Sequence, residues 1–330
     1  MSVHDRQHAG SDGEINLSVE NRKLLTEIEN LCSNTRRKVE NVLLIGKVGA
    51  GKSSLINSVR KALTGQYIPK APAGKGSSSS KTKALERFER CGVEEDDLIH
   101  DRDRYMKISH VPTIFDFPGL GDTEFEGLEE ILDLIIKGDV APYTSLRYLI
   151  ESQNKTKNDH EKECELKQPY PNSKISTILF VQSCRESAPK NLISCLQKVL
   201  DKSGPDGKLL YTGKVHVVMT KFDLVNHQDN SDDETTEMIS EDNYMDIEND
   251  MADLFNIDGN RQDNLTKWTS YSDRLDAERD NPAVDNSALK LIKMIMTHGT
   301  QAELMPAKPM PAKPMPAKPM PAKDDSCQIL

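Results

Sequence analysis

Four short apolar runs recur along the chain, at Asn41 to Ile45, Pro112 to Phe115, Ser176 to Gln182 and Lys214 to Met219, each followed by a polar loop and a helix-like stretch. Runs of four to seven apolar and β-branched residues without alternation are what strands buried on both faces look like. Strands separated by helical patterns imply a parallel sheet with helices on both sides. One more strand is expected in Leu265 to Tyr271 (L-T-K-W-T-S-Y). Helical spacing appears at Leu24, Leu25, Ile28 and Leu31, where Ser18 is placed to cap the helix, and from Gly51 to about Leu63. Tyr244, Ile247, Met251, Leu254 and Phe255 mark a further helix. Residues 93–105, rich in Asp, Glu and Arg, read as an insertion between two edge strands, and Gly74 to Ser80 as a mobile loop.

Punctuation at the ends of these strands carries the chemistry. Gly46-Lys47-Val48-Gly49-Ala50-Gly51-Lys52-Ser53 matches G-x-x-x-x-G-K-[ST] in full, with a strand before it and a helix after it. Such a loop curls so that successive backbone N–H groups face one phosphate, and the helix N-terminus adds partial positive charge. Gly46, Gly49, Ala50, Gly51, Lys52, Ser53 and Ser54 are the expected nucleotide contacts. The Lys52 ammonium would bridge the β- and γ-phosphates, and the Ser53 hydroxyl would ligate Mg²⁺. Asp116-Phe117-Pro118-Gly119 follows the second strand. Asp116 is expected to hold Mg²⁺ through water, and the Gly119 N–H to sense the γ-phosphate. A threonine closing over the cation should precede Asp116. Thr82 is the choice, as metal ligand and catalytic residue beside Lys52, with Thr64 and Thr113 as alternatives. Thr220-Lys221-Phe222-Asp223 ends the fourth strand and has the [NT]-K-x-D form. The Asp223 carboxylate can accept from both N1–H and the exocyclic amine of guanine, a donor pair adenine lacks, and the Lys221 stem would cover the base. Ser270, after the last strand, is the expected backbone contact to the base. The cofactors implied are GTP or GDP with Mg²⁺.

Charge and composition narrow the partners. Thirteen acidic residues and no Lys or Arg lie between Asp223 and Asp258, so most of the net charge of −10 sits in one insertion, at about 226–258. With no basic stripe, nucleic acid is not an expected partner. The acidic helix inside the insertion is either a solvated outer face with one packed stripe or a docking surface for a basic partner. Six scattered cysteines without C-x-x-C spacing argue against zinc and against a disulfide framework. No apolar run reaches the roughly 18 to 20 residues of a membrane span, and the polar N-terminus has no signal core, so a cytoplasmic location is expected.

The domain order expected is a disordered arm at 1–17, a helix within 18–40 packing on the main domain, a nucleotide-binding domain at 41–302, and a tail at 303–330. Met305 to Lys323 repeats M-P-A-K-P and would form a polyproline-type spacer reaching roughly 60 Å at about 3.1 Å per residue. The chain ends Cys327-Gln328-Ile329-Leu330, a C-a-a-X form whose final Leu points to geranylgeranylation of Cys327 and association with a membrane. One lipid binds membranes marginally, and the lysines of the repeat could supply a second signal. The fold class expected is thus a three-layer α/β phosphate-loop NTPase, or G domain, with a mainly parallel sheet and a disordered proline-rich tail.

Taken with their surroundings, these boxes resemble the interferon-induced protein 44 family of dynamin-like, immunity-associated GTPases. The resemblance is carried by Asn41 to Val59, by Lys81-Thr82, by D-F-P-G-L-G-D from Asp116, by Gly127 to Gly138 and by Thr269 to Asp273, and spans about residues 20–297. It implies a role in innate immune or antiviral response and self-assembly or homodimerisation. Some members of that family have an eroded guanine box, whereas Thr220 to Asp223 is intact. Hydrolysis is less secure than binding. Leu120 stands where small GTPases carry a glutamine that orients water, and Val48 replaces a glycine common in their loops. Two readings follow: a slow or assembly-stimulated GTPase, and a nucleotide-gated binding module with negligible hydrolysis. An ATPase is a third, separable by the nucleotide preference of Asp223→Ala.

Overall fold

A computed structural model describes residues 3–34, 37–73, 81–99, 101–122, 127–156, 170, 172–204, 207–225, 238–257, 264–271 and 280–299. Six strands form one sheet in the order β2-β3-β1-β4-β5-β6. They are β1 (Asn41–Ile45), β2 (Glu86–Phe88), β3 (Thr113–Asp116), β4 (Thr177–Ser183), β5 (Lys214–Thr220) and β6 (Leu265–Lys267). All pairings are parallel except that of the edge strand β2 with β3. The helices are α1 (Val3–Ser33), α2 (Lys52–Thr64), α3 (Arg102–Lys107), α4 (Leu128–Lys137), α5 (Leu146–Thr156), α6 (Lys190–Leu200), α7 (Glu241–Leu254) and α8 (Pro282–Gly299). The architecture is the expected three-layer α/β fold.

Alternation along the central strands sorts their side chains between two cores. Leu43, Ile45, Phe115, Ile178, Phe180, Val217 and Met219 face α4, α6 and α7. Val42, Leu44, Ile114, Leu179, Val181 and Val218 face α1, α2 and α8. Each central strand therefore buries both faces, which is why these segments read as unbroken apolar runs. Burying side chains of this kind stabilises by about 1.5–3 kcal/mol each before chain entropy is subtracted.

Several boundaries differ from the sequence expectation. The strands β3 and β4 lie one residue later than expected, because Asp116 and Ser183 still pair within the sheet. The last strand stops at Lys267, since the Trp268 indole turns into the core and its N–H finds Ser270. The arm at 1–17 is helical from Val3, continuous with the segment expected to start at Ser18. No proline interrupts residues 3–33, so a helix held at Leu24 and Ile28 by α8 can propagate backward. Polar clamps fix that pair: Asn286 donates to Asn21 at 2.9 Å, and Lys290 and Lys293 meet Glu20 and Glu27 at 3.0 and 2.7 Å. The Gly/Ser loop at 74–80, the acidic stretch 226–237 and the tail with Cys327 lie outside the described residues.

Between β2 and β3 the chain makes a left-handed turn at Arg90, Cys91 and Gly92, with φ of 51°, 55° and 78°. Two of these residues carry a Cβ and are strained there. The turn is held by the Cys91 N–H donating to Pro112 O at 2.8 Å and by buried Arg60, whose Nε donates to Gly92 O at 3.0 Å while its other end pairs with Asp97. Helix α7 is capped by Ser240, whose hydroxyl accepts from the Asn243 N–H at 3.3 Å, and Glu241 and Asp242 complement its dipole. Tyr244, Met251 and Ala252 are its buried stripe.

Candidate nucleotide site

The loop between β1 and α2 is shaped by three glycines. Gly46, Gly49 and Gly51 have φ of 156°, 77° and 94°. At Gly46 a Cβ would sit 2.1 Å from the Val181 carbonyl oxygen, so only glycine lets the loop leave β1 so close to β4. Helix α2 begins with no side-chain cap and no acidic residue in its first turn. Its N-terminal N–H groups and dipole are thus left for an anion, rather than being neutralised by the protein.

Lys52 is buried, and its ammonium donates to Gly46 O and Lys47 O, both at 3.1 Å. Burial lowers its pKa, and the charge of Asp116 opposes that shift. Asp116, at the end of β3, is fully buried. Burial raises its pKa, against Lys52 and the hydroxyls of Thr82 and Ser53. The Ser53 and Thr82 hydroxyls both donate to Asp116 Oδ2, at 3.2 and 3.0 Å. Asp116 Oδ1 has no hydrogen-bond partner among the described residues. A buried carboxylate oxygen left unmatched costs about 1–3 kcal/mol or more. Three hard oxygen donors meeting at one point, one of them under-satisfied, suit a small divalent cation such as Mg²⁺. The donor set therefore fits the metal expected from the sequence. Ser53, Thr82 and Asp116 are brought together; the alternatives Thr64 and Thr113 are not, since Thr64 closes the far end of α2, donating to Arg60 O, and Thr113 starts β3.

The D-x-x-G segment is zipped to the phosphate loop. The Val48 N–H donates to Leu120 O at 3.1 Å, and the Leu120 N–H to Gly46 O at 3.4 Å. A Cβ on Gly119 would lie 2.7 Å from Val48 Cα, so glycine is needed for this approach. Leu120 is buried in the core facing α4 and α6. Three residues after Gly119, Asp122 caps α6: its Oδ1 accepts from the Asn191 N–H at 3.1 Å, and its carbonyl from the Asn191 amide at 2.9 Å. Gln197 of α6 in turn donates to Leu254 O of α7, and Lys190 pairs with Asp250 at 3.8 Å.

The Thr220 to Asp223 box is bound to the same loop from the other side. The buried Thr220 hydroxyl is 2.5 Å from Ala50 O and 3.2 Å from Gln182 O. Lys221 is half-buried in a left-handed conformation, φ 61°. Burial lowers its pKa, opposed chiefly by Glu186. Asp223 is exposed at the following turn. That turn is tied to the loop after β6 through the Phe222 N–H donating to Trp268 O at 3.1 Å. The loop after β6 is anchored in turn on α2, where the Tyr271 N–H donates to the Ser58 hydroxyl at 2.9 Å. The half-buried Ser270 hydroxyl accepts from the Trp268 indole at 2.8 Å, so its side chain is a brace for the loop. Ala50, Ser54 and Lys52 lie on the loop and first turn of α2 as expected.

Two site features escaped the sequence. Glu186 pairs with Lys47 of the phosphate loop at 2.9 Å. Glu86, first residue of β2, stands directly opposite Asp116 in the antiparallel register. Its pKa is raised by burial and then by the Asp116 charge. The L-E-R-F stretch at 85–88 does not alternate apolar with polar residues, so the sequence carries no period-2 signal for this strand.

The chain matches no known family model and no curated protein. Among solved structures it is similar to the crystal structure of Toc33 from Arabidopsis thaliana in complex with Mg²⁺ and GMPPNP, at 14% identity and a TM-score of 0.43, covering 86% of this chain and 93% of that one. So loose a likeness adds nothing to the site, whose chemistry rests on the residues named above.

Proposed function

We propose that this protein binds guanine nucleotide together with Mg²⁺ and acts as a nucleotide-dependent switch. The observation that carries the proposal is the convergence of Ser53, Thr82 and buried Asp116 beside Lys52, at the uncapped N-terminus of α2. This cluster holds a buried cation and a buried anion, with burial lowering the Lys52 pKa and raising that of Asp116. Phosphate oxygens would take over the Lys52 ammonium from the loop carbonyls, and Ser53, Thr82 and Asp116 would hold the cation. Guanine specificity is assigned to Asp223, held in register by Thr220. The bound metal would neutralise phosphate charge; the protein's own part is to fix the phosphates, through the loop N–H groups and Lys52, and to set the base.

On hydrolysis, the burial of Leu120 favours a weak enzyme, because no side chain at that position can orient water. A slow GTPase, stimulated by self-assembly, is the first reading, and a binding module without turnover the second. Phosphate release measured against protein concentration separates them: a specific activity that rises with concentration supports the first, and none at any concentration the second. Nucleotide binding itself is tested by calorimetric titration with GDP, GTP and ATP in Mg²⁺. Absence of guanine preference would overturn the assignment of Asp223. Membership of the interferon-induced protein 44 family and an immune or antiviral role rest on the sequence resemblance alone. Membrane anchoring rests on Cys327 and the lysine repeat; an unchanged distribution of Cys327→Ser between membrane and cytoplasm would remove it.

A further inference from the structure

The antiparallel pairing of β2 with β3 sets Glu86 across from Asp116, and residues directly opposite in such a pair share a face with Cβ atoms about 4.5–5.5 Å apart. The neighbouring pairs confirm which face. Arg87 lies over the Phe115 ring, in the core facing α4, whereas Phe88 packs with Ile114 against α2. Glu86 is therefore on the α2 side, one strand outward from the carboxylate that gathers Ser53 and Thr82. It is half-buried and makes no hydrogen bond or ion pair with the described residues. A carboxylate without a partner, beside a second and fully buried carboxylate, is unfavourable unless positive charge arrives next to both. Asp116 Oδ1, buried and unmatched, marks where that charge is wanted.

We propose that Glu86 is a second carboxylate of the cation site, one that makes nucleotide binding strongly dependent on the divalent ion. Resting on the nucleotide-binding reading above, the inference adds a residue and a sign to it. Without the cation, Glu86 faces the anionic phosphates as a like charge and opposes them. With the cation in place, Glu86 attracts it and the opposition turns to support. The residue thus sets the coupling between nucleotide and metal, a quantity distinct from the affinity for either.

The test is the affinity of the full chain for GDP, measured by calorimetry in saturating Mg²⁺ and again in EDTA, for wild type, Glu86→Gln and Glu86→Asp. In Glu86→Gln the ratio of the two affinities should shrink about tenfold, the metal-free affinity staying level or rising while the Mg²⁺-dependent one falls. Glu86→Asp, which keeps the charge, should restore most of the ratio. An unchanged ratio in Glu86→Gln, or equal losses in both conditions as a merely structural residue would give, overturns the proposal. Failure of wild type to bind GDP in either condition would instead overturn the nucleotide reading, and this inference with it.

Discussion

The two ends of the candidate site are built differently. At the phosphate end, Lys52, Ser53, Thr82 and Asp116 are mostly buried, and the Ser53 and Thr82 hydroxyls both meet Asp116. At the base end, Thr220 is locked in the sheet, but Asp223 is exposed on a turn and Ser270 serves as a brace within its own loop. The phosphate end holds a buried cation and a buried anion, Lys52 and Asp116, each shifted by burial against its charged form. The base end, with Asp223 exposed, should contribute selection among nucleotides more than affinity.

The sharpest way to break this contrast is Lys52→Ala, which removes the buried ammonium of the loop after β1 and leaves Asp116 buried without that counter-charge. Nucleotide affinity should fall by at least about a hundredfold, since hydrogen bonds to charged groups and their loss weigh most in buried sites; titration with GDP reads it. Next in size is Asp223→Asn. Guanine nucleotide should lose about tenfold to a hundredfold in affinity, and xanthine nucleotide should gain, because the amide can donate where the carboxylate could only accept. If xanthine showed no gain, the base end would have been misassigned while the phosphate end stood. A smaller effect is expected for Thr82→Ala, about a fivefold to tenfold rise in the Mg²⁺ needed for half-maximal GDP binding, with metal-free binding little changed. For Ser270→Ala, nucleotide affinity should stay within about threefold, while the melting transition reports a loss of about 1 kcal/mol from the unpartnered Trp268 N–H.

The smallest effect concerns stability and pH. Burial and the Asp116 charge raise the Glu86 pKa in the folded chain. An ionised Glu86 therefore costs stability above its folded pKa, and the cost vanishes below its unfolded pKa, where it is protonated in both states. Ligand-free Glu86→Gln should thus melt higher than wild type at neutral pH, and the gain should close as pH falls through the glutamate range. A gain independent of pH would mean that electrostatics are not its source.

The phosphate end was also the more legible of the two in the sequence. Buried parallel strands are written as apolar runs, and those of β1, β3 and β5 lead into Gly46, Asp116 and Thr220, so β1, β3, β4 and β5 could be placed within a residue. What stayed hidden was tertiary. Strand β2 has only three residues, two of them charged, and an edge strand needs no apolar run. With β2 unread, neither Glu86 nor its alignment with Asp116 could be seen. The left-handed turn at Arg90 and Cys91 is likewise illegible, since neither residue favours it and only Arg60 and Pro112 impose it. Thr82 could be chosen by its place in the chain, but its contact with Asp116 depends on how residues far apart in sequence meet.

Asp122, the cap on α6, comes only three residues after Gly119, a span of at most about 10 Å. Such a short leash has almost no slack. If Gly119 moves when a γ-phosphate comes or goes, the pull passes to the first turn of α6 and, through Gln197 and Lys190, onward to the acidic helix α7 on the outer surface. The cap at Asp122 would thereby link the loop after β1 to α7, whose Tyr244 packs edge-on against Phe222 of the Thr220 to Asp223 box, ring centroids 5.2 Å apart.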